Sequence, residues 1–180
     1  GKQTNEAVFW DAFVSVYGEE KRKDKAIFDA FYADEFAQTA ACCKANPLAG
    51  PIVRFANENF PLTVLATNPI FPAIATESRI RWAGLDPEDF AYYTTYENIG
   101  LCKPNPDYYR EAAARAGVSP EECLMVGNDI EEDMVACEKA GMRGFLLTDC
   151  LIDRKGTGAG EWPNGGFCEL ASYIGLLLAE

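Results

Sequence analysis

The chain has 180 residues, 48% of them hydrophobic and 24% charged, which suits one sizeable core or a core domain with a small appendage. Its formal net charge of -12 argues against nucleic acid and anionic membranes as partners, although a local cation or metal can still fit one pocket to a phosphorylated substrate. Histidine is absent, which removes Ser-His-Asp and Cys-His catalysis and every His-containing metal site.

The cysteines, Cys42, Cys43, Cys102, Cys123, Cys137, Cys150 and Cys168, form no C-x-x-C pair. Neither a zinc site nor a disulfide framework is expected, and a cytoplasmic location fits. No apolar run is long enough to span a membrane, and the N-terminus shows no secretory pattern.

Thr4 is placed to cap a first helix carrying Val8, Phe9, Ala12, Phe13, Val16 and Tyr17, which Gly18 stops. After a mostly basic turn at 21–25, a second helix is expected with Ile27, Phe28, Phe31, Tyr32, Phe36 and Ala40 on one core-facing side. Asn46-Pro47 breaks the pattern and a short third helix follows over 51–59. Residues 1–60 therefore read as a helical region and 61–180 as a separate α/β core.

From Leu62 the pattern alternates. Apolar runs at 62–66, 90–94, 123–126 and 144–147 read as strands, and helical patterns near 70–83, 107–116 and 130–140 lie between them, closed by Gly84, Gly117 and Gly141. Four alternations predict a Rossmann-like parallel sheet with flanking helices. The Gly-rich stretch 157–166 reads as a loop, and 170–178 as a closing helix.

Polar residues follow three of these elements: Thr67 and Asn68 after the first strand, Lys103 in the loop 101–106, and Asn128 and Asp129 after the third strand, with Asp133 four further on. Strand ends of a parallel sheet converge on one face, where ligands bind. A hydroxyl, an amide, an ammonium and hard carboxylate oxygens suit phosphoryl chemistry, which needs non-bridging oxygens held and neutralised. Each residue also has a plain structural alternative: Thr67 as a helix cap, Lys103 as a solvated loop lysine, Asn128 or Asp129 as the cap of the next helix, and Asp133 facing water.

Ala66-Thr67-Asn68-Pro69, Lys103-Pro104-Asn105-Pro106-Asp107-Tyr108-Tyr109 and Met125-Val126-Gly127-Asn128-Asp129 on to Asp133 resemble motifs II, III and IV of the haloacid dehalogenase superfamily, in order and spacing. Most members are Mg2+-dependent phosphatases that use an aspartyl-phosphate intermediate. The resemblance implies that Thr67, with Asn68 beside it, binds the transferred phosphate. Lys103 would steady that phosphate and the nucleophile, and Asn128, Asp129 and Asp133 would serve a Mg2+ site. Which of the three binds metal directly stays open, because many members carry Asp where Asn128 stands. The helical 1–60 region resembles the family's cap.

One departure stands out. The family's nucleophile lies in an Asp-x-Asp motif on the first core strand, ahead of the cap, and no Asp-x-Asp occurs in this chain. The expectation is a core whose first strand and nucleophile lie outside these residues. The implied activity is hydrolysis of a small phosphorylated metabolite. The alternatives are a non-catalytic phosphate-binding domain or truncated fragment, a haloacid dehalogenase proper, whose chemistry needs no metal, and a receiver-like or flavodoxin-like domain. Substrate identity and oligomeric state are not readable.

Overall fold

The computed structural model describes residues 2–160 and 162–179. Its helices and strands, in chain order, are α1 (Asn5–Tyr17), α2 (Lys25–Ala33), α3 (Ala49–Asn59), β1 (Val64–Leu65), α4 (Ala73–Trp82), β2 (Tyr92–Tyr93), α5 (Pro106–Ala116), β3 (Leu124–Gly127), α6 (Ala136–Ala140), β4 (Arg143–Leu147), β5 (Asn164–Gly165) and α7 (Phe167–Leu177). The fold is α/β, and every strand pair is parallel. Contacts group the chain into two compact units, Gly1–Val53 with Leu62–Leu101, and Arg54–Pro61 with Cys102–Glu180. The sequence boundary at 60/61 follows a change of pattern; the contacts instead place β1, α4 and β2 in one unit with α1 and α2.

In the first unit, the Thr4 hydroxyl accepts from Ala7 N–H at 3.2 Å, and Gly18 ends α1 at φ 100°, a conformation glycine adopts without penalty. The first helical N–H groups have no partner within the helix. Here Asn5 N–H donates to Ile99 O at 2.9 Å and Glu6 N–H to Tyr96 O at 2.8 Å, so the start of α1 is tied to the segment after β2. Trp10 and Val14 are its buried residues.

The second helix departs from expectation. α2 stops at Ala33, Asp34 takes φ -125° and ψ -74°, and the chain resumes as a 3-10 stretch over Glu35–Cys42. The restart sets the Phe36 ring against Trp82, with centroids 5.1 Å apart, and against Phe71 at 6.4 Å. Tertiary ring packing thus overrides the helical period. The aromatics expected in the core are also less enclosed than their spacing implies. No α2 residue is buried, and Phe28 and Phe31 pack edge-on against neighbouring rings while remaining 36% and 43% exposed.

β1 and β2 pair Val64 with Tyr92 and Leu65 with Tyr93, with α4 between them in the chain and Gly84 turning at φ 80° behind it.

In the second unit β3 pairs with β4 from Leu124↔Arg143 to Gly127↔Leu146, and β4 with β5 at Leu146↔Asn164 and Leu147↔Gly165. The strand β5 lies in the stretch read as loop; two residues carry no alternation for a sequence pattern to show. Residues 130–140, read as one helix, open as a π-turn over Ile130–Val135 before α6. The core here is Tyr108, Tyr109, Ile130, Met134, Cys137, Phe145, Leu146, Leu170 and Ile174, all nearly inaccessible.

Cys137 is fully buried, and that burial, reinforced by the charge of Asp133, pushes its thiol pKa up to about 12. Only thiolate reacts with alkylating agents. At pH 8, iodoacetamide followed by mass spectrometry is expected to label the exposed Cys42, Cys43, Cys150 and Cys168 while Cys137 stays unmodified until urea is added. The raised thiol pKa also fixes a sign: its contribution to stability is complete below the unfolded value near 8.5 and is lost as pH rises toward 12. Early labelling of Cys137 in the native chain contradicts this packing.

Candidate functional site

The carboxyl end of β3 carries the cluster. Gly127 is buried, and a Cβ built on it would lie 2.4 Å from Asp133 Oδ2 and 2.5 Å from Asp133 Cβ and Cγ. Only glycine leaves that space. The π-turn brings Asp133 back over it: Asp133 N–H and Met134 N–H both donate to Asp129 O, at 2.8 and 3.2 Å.

Asp133 is saturated. Its Oδ2 accepts from the N–H groups of Asn128 and Asp129 at 3.0 and 3.1 Å. Its Oδ1 takes the Lys103 ammonium at 2.6 Å, with the two side chains 9% and 8% exposed. Tyr109 Oη donates to Glu132 O and lies 3.4 Å from Asp133 Oδ1. The Lys103 Nζ stands 5.7 Å from the Tyr109 ring centroid, within cation–π range. Burial and the Asp133 charge both push the Tyr109 phenol up, so it stays a donor. Lys103 is therefore no solvated loop lysine, and Asp133 does not face water.

Asp129 is buried and caps the turn: Oδ1 accepts from Glu131 N–H at 3.1 Å and Glu132 N–H at 3.0 Å. Its Oδ2 is 2.6 Å from Arg154 Nη1. Asn128 donates its Nδ2 to Cys150 O at 2.7 Å, which leaves its amide oxygen as a neutral ligand atom. The sequence reading missed Arg154. Its signal was position alone, in a basic pair shortly after the fourth strand of a parallel sheet. Tyr109 was visible within its motif, but no role followed from its spacing.

Lys103, Asn128, Asp129 and Asp133 thus form one hydrogen-bonded group. Thr67 and Asn68 belong to the other unit. There Thr67 N–H donates to Thr94 Oγ1 at 2.9 Å, and the Thr67 hydroxyl donates to Thr94 O at 2.8 Å. Asn68 O accepts from Ile70 N–H in the turn that leads to α4. Thr67 also lines a cavity of about 330 Å³ with Leu65, Thr76, Ile80 and Phe90. A cavity of about 540 Å³ in the second unit lies against Arg143, Gly144, Trp162 and Tyr173. It is at the start of β4, away from the strand end that carries the candidate residues.

Among the described residues no group of three or more Cys, Asp or Glu is placed to hold a metal. Asp133 does not fit as a direct ligand, because both its oxygens are taken by Lys103 and backbone N–H groups. Asp129 Oδ2 and the Asn128 amide oxygen do fit a hard cation: Oδ2 belongs to a buried carboxylate and already carries a cationic partner, the Arg154 guanidinium. Mg2+ commonly takes one or two carboxylates and keeps several waters.

A family model described as haloacid dehalogenase-like hydrolase matches residues 3–141. Glyceraldehyde 3-phosphate phosphatase of Methanopyrus kandleri is 48% identical over 46 residues, which is 26% of this chain and 20% of that protein. The enzyme of the same name from Methanothermobacter thermautotrophicus is 36% identical over 64 residues, covering 36% of this chain and 28% of that one. The chain thus matches under a third of the length of either relative. In fold, the chain is similar to a HAD phosphatase from Thermococcus onnurineus (TM-score 0.62, 20% identity, 80% of this chain and 64% of that one). It is likewise similar to a 2-haloacid dehalogenase from Pseudomonas syringae (TM-score 0.64, 21% identity, 89% and 64%). Among the described residues no helix is long and apolar enough to cross a membrane.

Proposed function

The chain belongs to the haloacid dehalogenase-like hydrolase family, and we propose that it serves a Mg2+-dependent phosphatase acting on a small phosphorylated metabolite through an aspartyl-phosphate. The observation that carries the reading is the buried Lys103–Asp133 pair beside Asp129 at the end of β3. It supports the reading because it holds a lysine ammonium at the carboxyl end of β3, the end of a parallel sheet where ligands bind. The names of the archaeal relatives, both phosphatases of a three-carbon phosphate ester, agree with this substrate class.

In this reading Lys103 neutralises non-bridging phosphate oxygens, held in place by Asp133 and the Tyr109 ring. Thr67 keeps the phosphate-binding role that its motif implies, through its hydroxyl. Backbone N–H groups near Asn68 add further donors. Asp129 and Asn128 would hold Mg2+, which supplies charge neutralisation and orientation of the phosphate. Asp133 orients Lys103 and the β3 turn rather than ligating. The nucleophilic carboxylate comes from an Asp-x-Asp motif outside these 180 residues. Its oxygen forms a bond to phosphorus as the ester oxygen leaves, and water then releases phosphate and restores the carboxylate. Residues 1–60 act as the cap that selects substrate.

The test compares this chain with a version extended upstream through such a motif. Phosphate release from p-nitrophenyl phosphate and glyceraldehyde 3-phosphate is measured with Mg2+ and with EDTA, beside chloride release from 2-chloropropionate. The extended chain should release phosphate only with Mg2+, and Asp129→Ala should lower turnover by about 100-fold or more, while Cys102→Ala changes little. Chloride release, or metal-independent turnover, would replace the phosphatase reading with the dehalogenase one. Full activity of the Asp129 variant would remove Asp129 from the metal site.

A further inference from the structure

Arg154 lies in the segment after β4, and the reading above gives it no part. Its guanidinium spans two acids, with Nη1 2.6 Å from Asp129 Oδ2 and Nη2 3.7 Å from Glu132 Oε1. The neighbouring Lys155 pairs with Glu131 at 2.7 Å. The backbone that carries Arg154 is fixed on both sides. Ile152 N–H donates to Asn128 O at 2.8 Å, and Ile130 N–H to Ile152 O at 3.1 Å. Beyond it, the Asp153 carboxylate accepts from Thr157 N–H at 3.1 Å and Gly158 N–H at 2.7 Å. The two partners differ in freedom. The Asp129 side chain is 7% exposed and held by two backbone N–H groups, whereas Arg154 is 53% exposed.

We infer that Arg154 is a latch on the cation site: it holds Asp129 Oδ2 in the metal-free chain, competes with Mg2+ for that oxygen, and moves into solvent when the metal enters. The inference rests on the Mg2+ site proposed above. A Mg2+ about 2.1 Å from Oδ2 and a guanidinium nitrogen 2.6 Å from the same oxygen would set two cations against each other at close range. The anchored acid stays and the arginine leaves, because the 53%-exposed guanidinium can be taken up by water whereas the Asp129 carboxylate is held in place by two backbone N–H groups. In the metal-free chain the guanidinium neutralises a carboxylate that would otherwise be buried unpaired.

The test measures Mg2+ binding to the chain by isothermal titration calorimetry, with thermal unfolding in EDTA and in excess Mg2+ alongside. Arg154→Gln should bind Mg2+ about three- to ten-fold more tightly, since both a competing contact and a like charge are removed. Arg154→Lys should return toward the wild-type affinity. Lys155→Gln, whose partner is Glu131, should shift affinity less than Arg154→Gln. In EDTA the Arg154→Gln variant should melt below wild type, and excess Mg2+ should close that gap. An unchanged or weaker Kd in Arg154→Gln overturns the latch, as does an equal gain in Lys155→Gln, which would reduce the effect to net charge. If neither wild type nor Arg154→Gln takes up Mg2+, the cation site itself falls, and the metal part of the proposed function falls with it.

Discussion

Asp133→Ala is expected to cost roughly 3–5 kcal/mol of stability, the range for breaking a buried ion pair by removing one partner. Lys103 and Asp133 are 9% and 8% exposed, so the ammonium left behind can neither find water nor shed its desolvation cost. The N–H groups of Asn128 and Asp129 lose their acceptor at the same time, and each unsatisfied buried donor costs about 1–3 kcal/mol. Urea unfolding of the single variants and of Lys103→Met with Asp133→Ala forms the cycle. The double variant should cost less than the sum of the singles, because removing both charges removes the orphan. A single-variant cost below about 1 kcal/mol would mean that the pair is solvated and does not fix Lys103.

What the sequence made legible follows from what leaves a periodic trace. Gly18, Gly117 and Gly141 end their helices at φ 100°, 76° and 99°, as expected of glycines closing apolar patterns. The parallel ladders at β1–β2 and β3–β4 stand where the strand patterns place them. The strand β5 and the break at Asp34 left no such trace, since one spans two residues and the other answers to rings at positions 71 and 82. In the candidate site, Lys103 and Asp133 were legible as members of a motif. Their mutual contact was not, because it joins residues 30 positions apart, one of them in the turn that follows β3, beyond the reach of any helical or strand period. Arg154 was not legible at all: it reaches Asp129 from 25 residues downstream through a bridge between Asp129 and Ile152, and no local spacing encodes that.

Gly127→Ala provides a sharper test of the same turn, because it adds one carbon and no charge. That carbon would sit 2.4–2.5 Å from three atoms of Asp133. These atoms cannot yield cheaply. Oδ2 is held by two backbone N–H groups and Oδ1 by Lys103. Overpacking of this kind costs about 1–3 kcal/mol in itself, and displacing Asp133 adds part of the ion-pair penalty. Two other glycines calibrate the result. At Gly144 the nearest atom to a built Cβ is Met134 Sδ at 3.0 Å, the flexible end of a side chain that can shift, so Gly144→Ala should cost less. At Gly175, inside α7, a Cβ meets nothing within 4 Å, and Gly175→Ala should stabilise by about 0.5–1 kcal/mol through helix propensity. The order of urea midpoints is therefore Gly175→Ala above wild type, then Gly144→Ala, then Gly127→Ala. If Gly127→Ala unfolds at the wild-type midpoint, Asp133 is not seated over β3, and the placement of Lys103 loses its support.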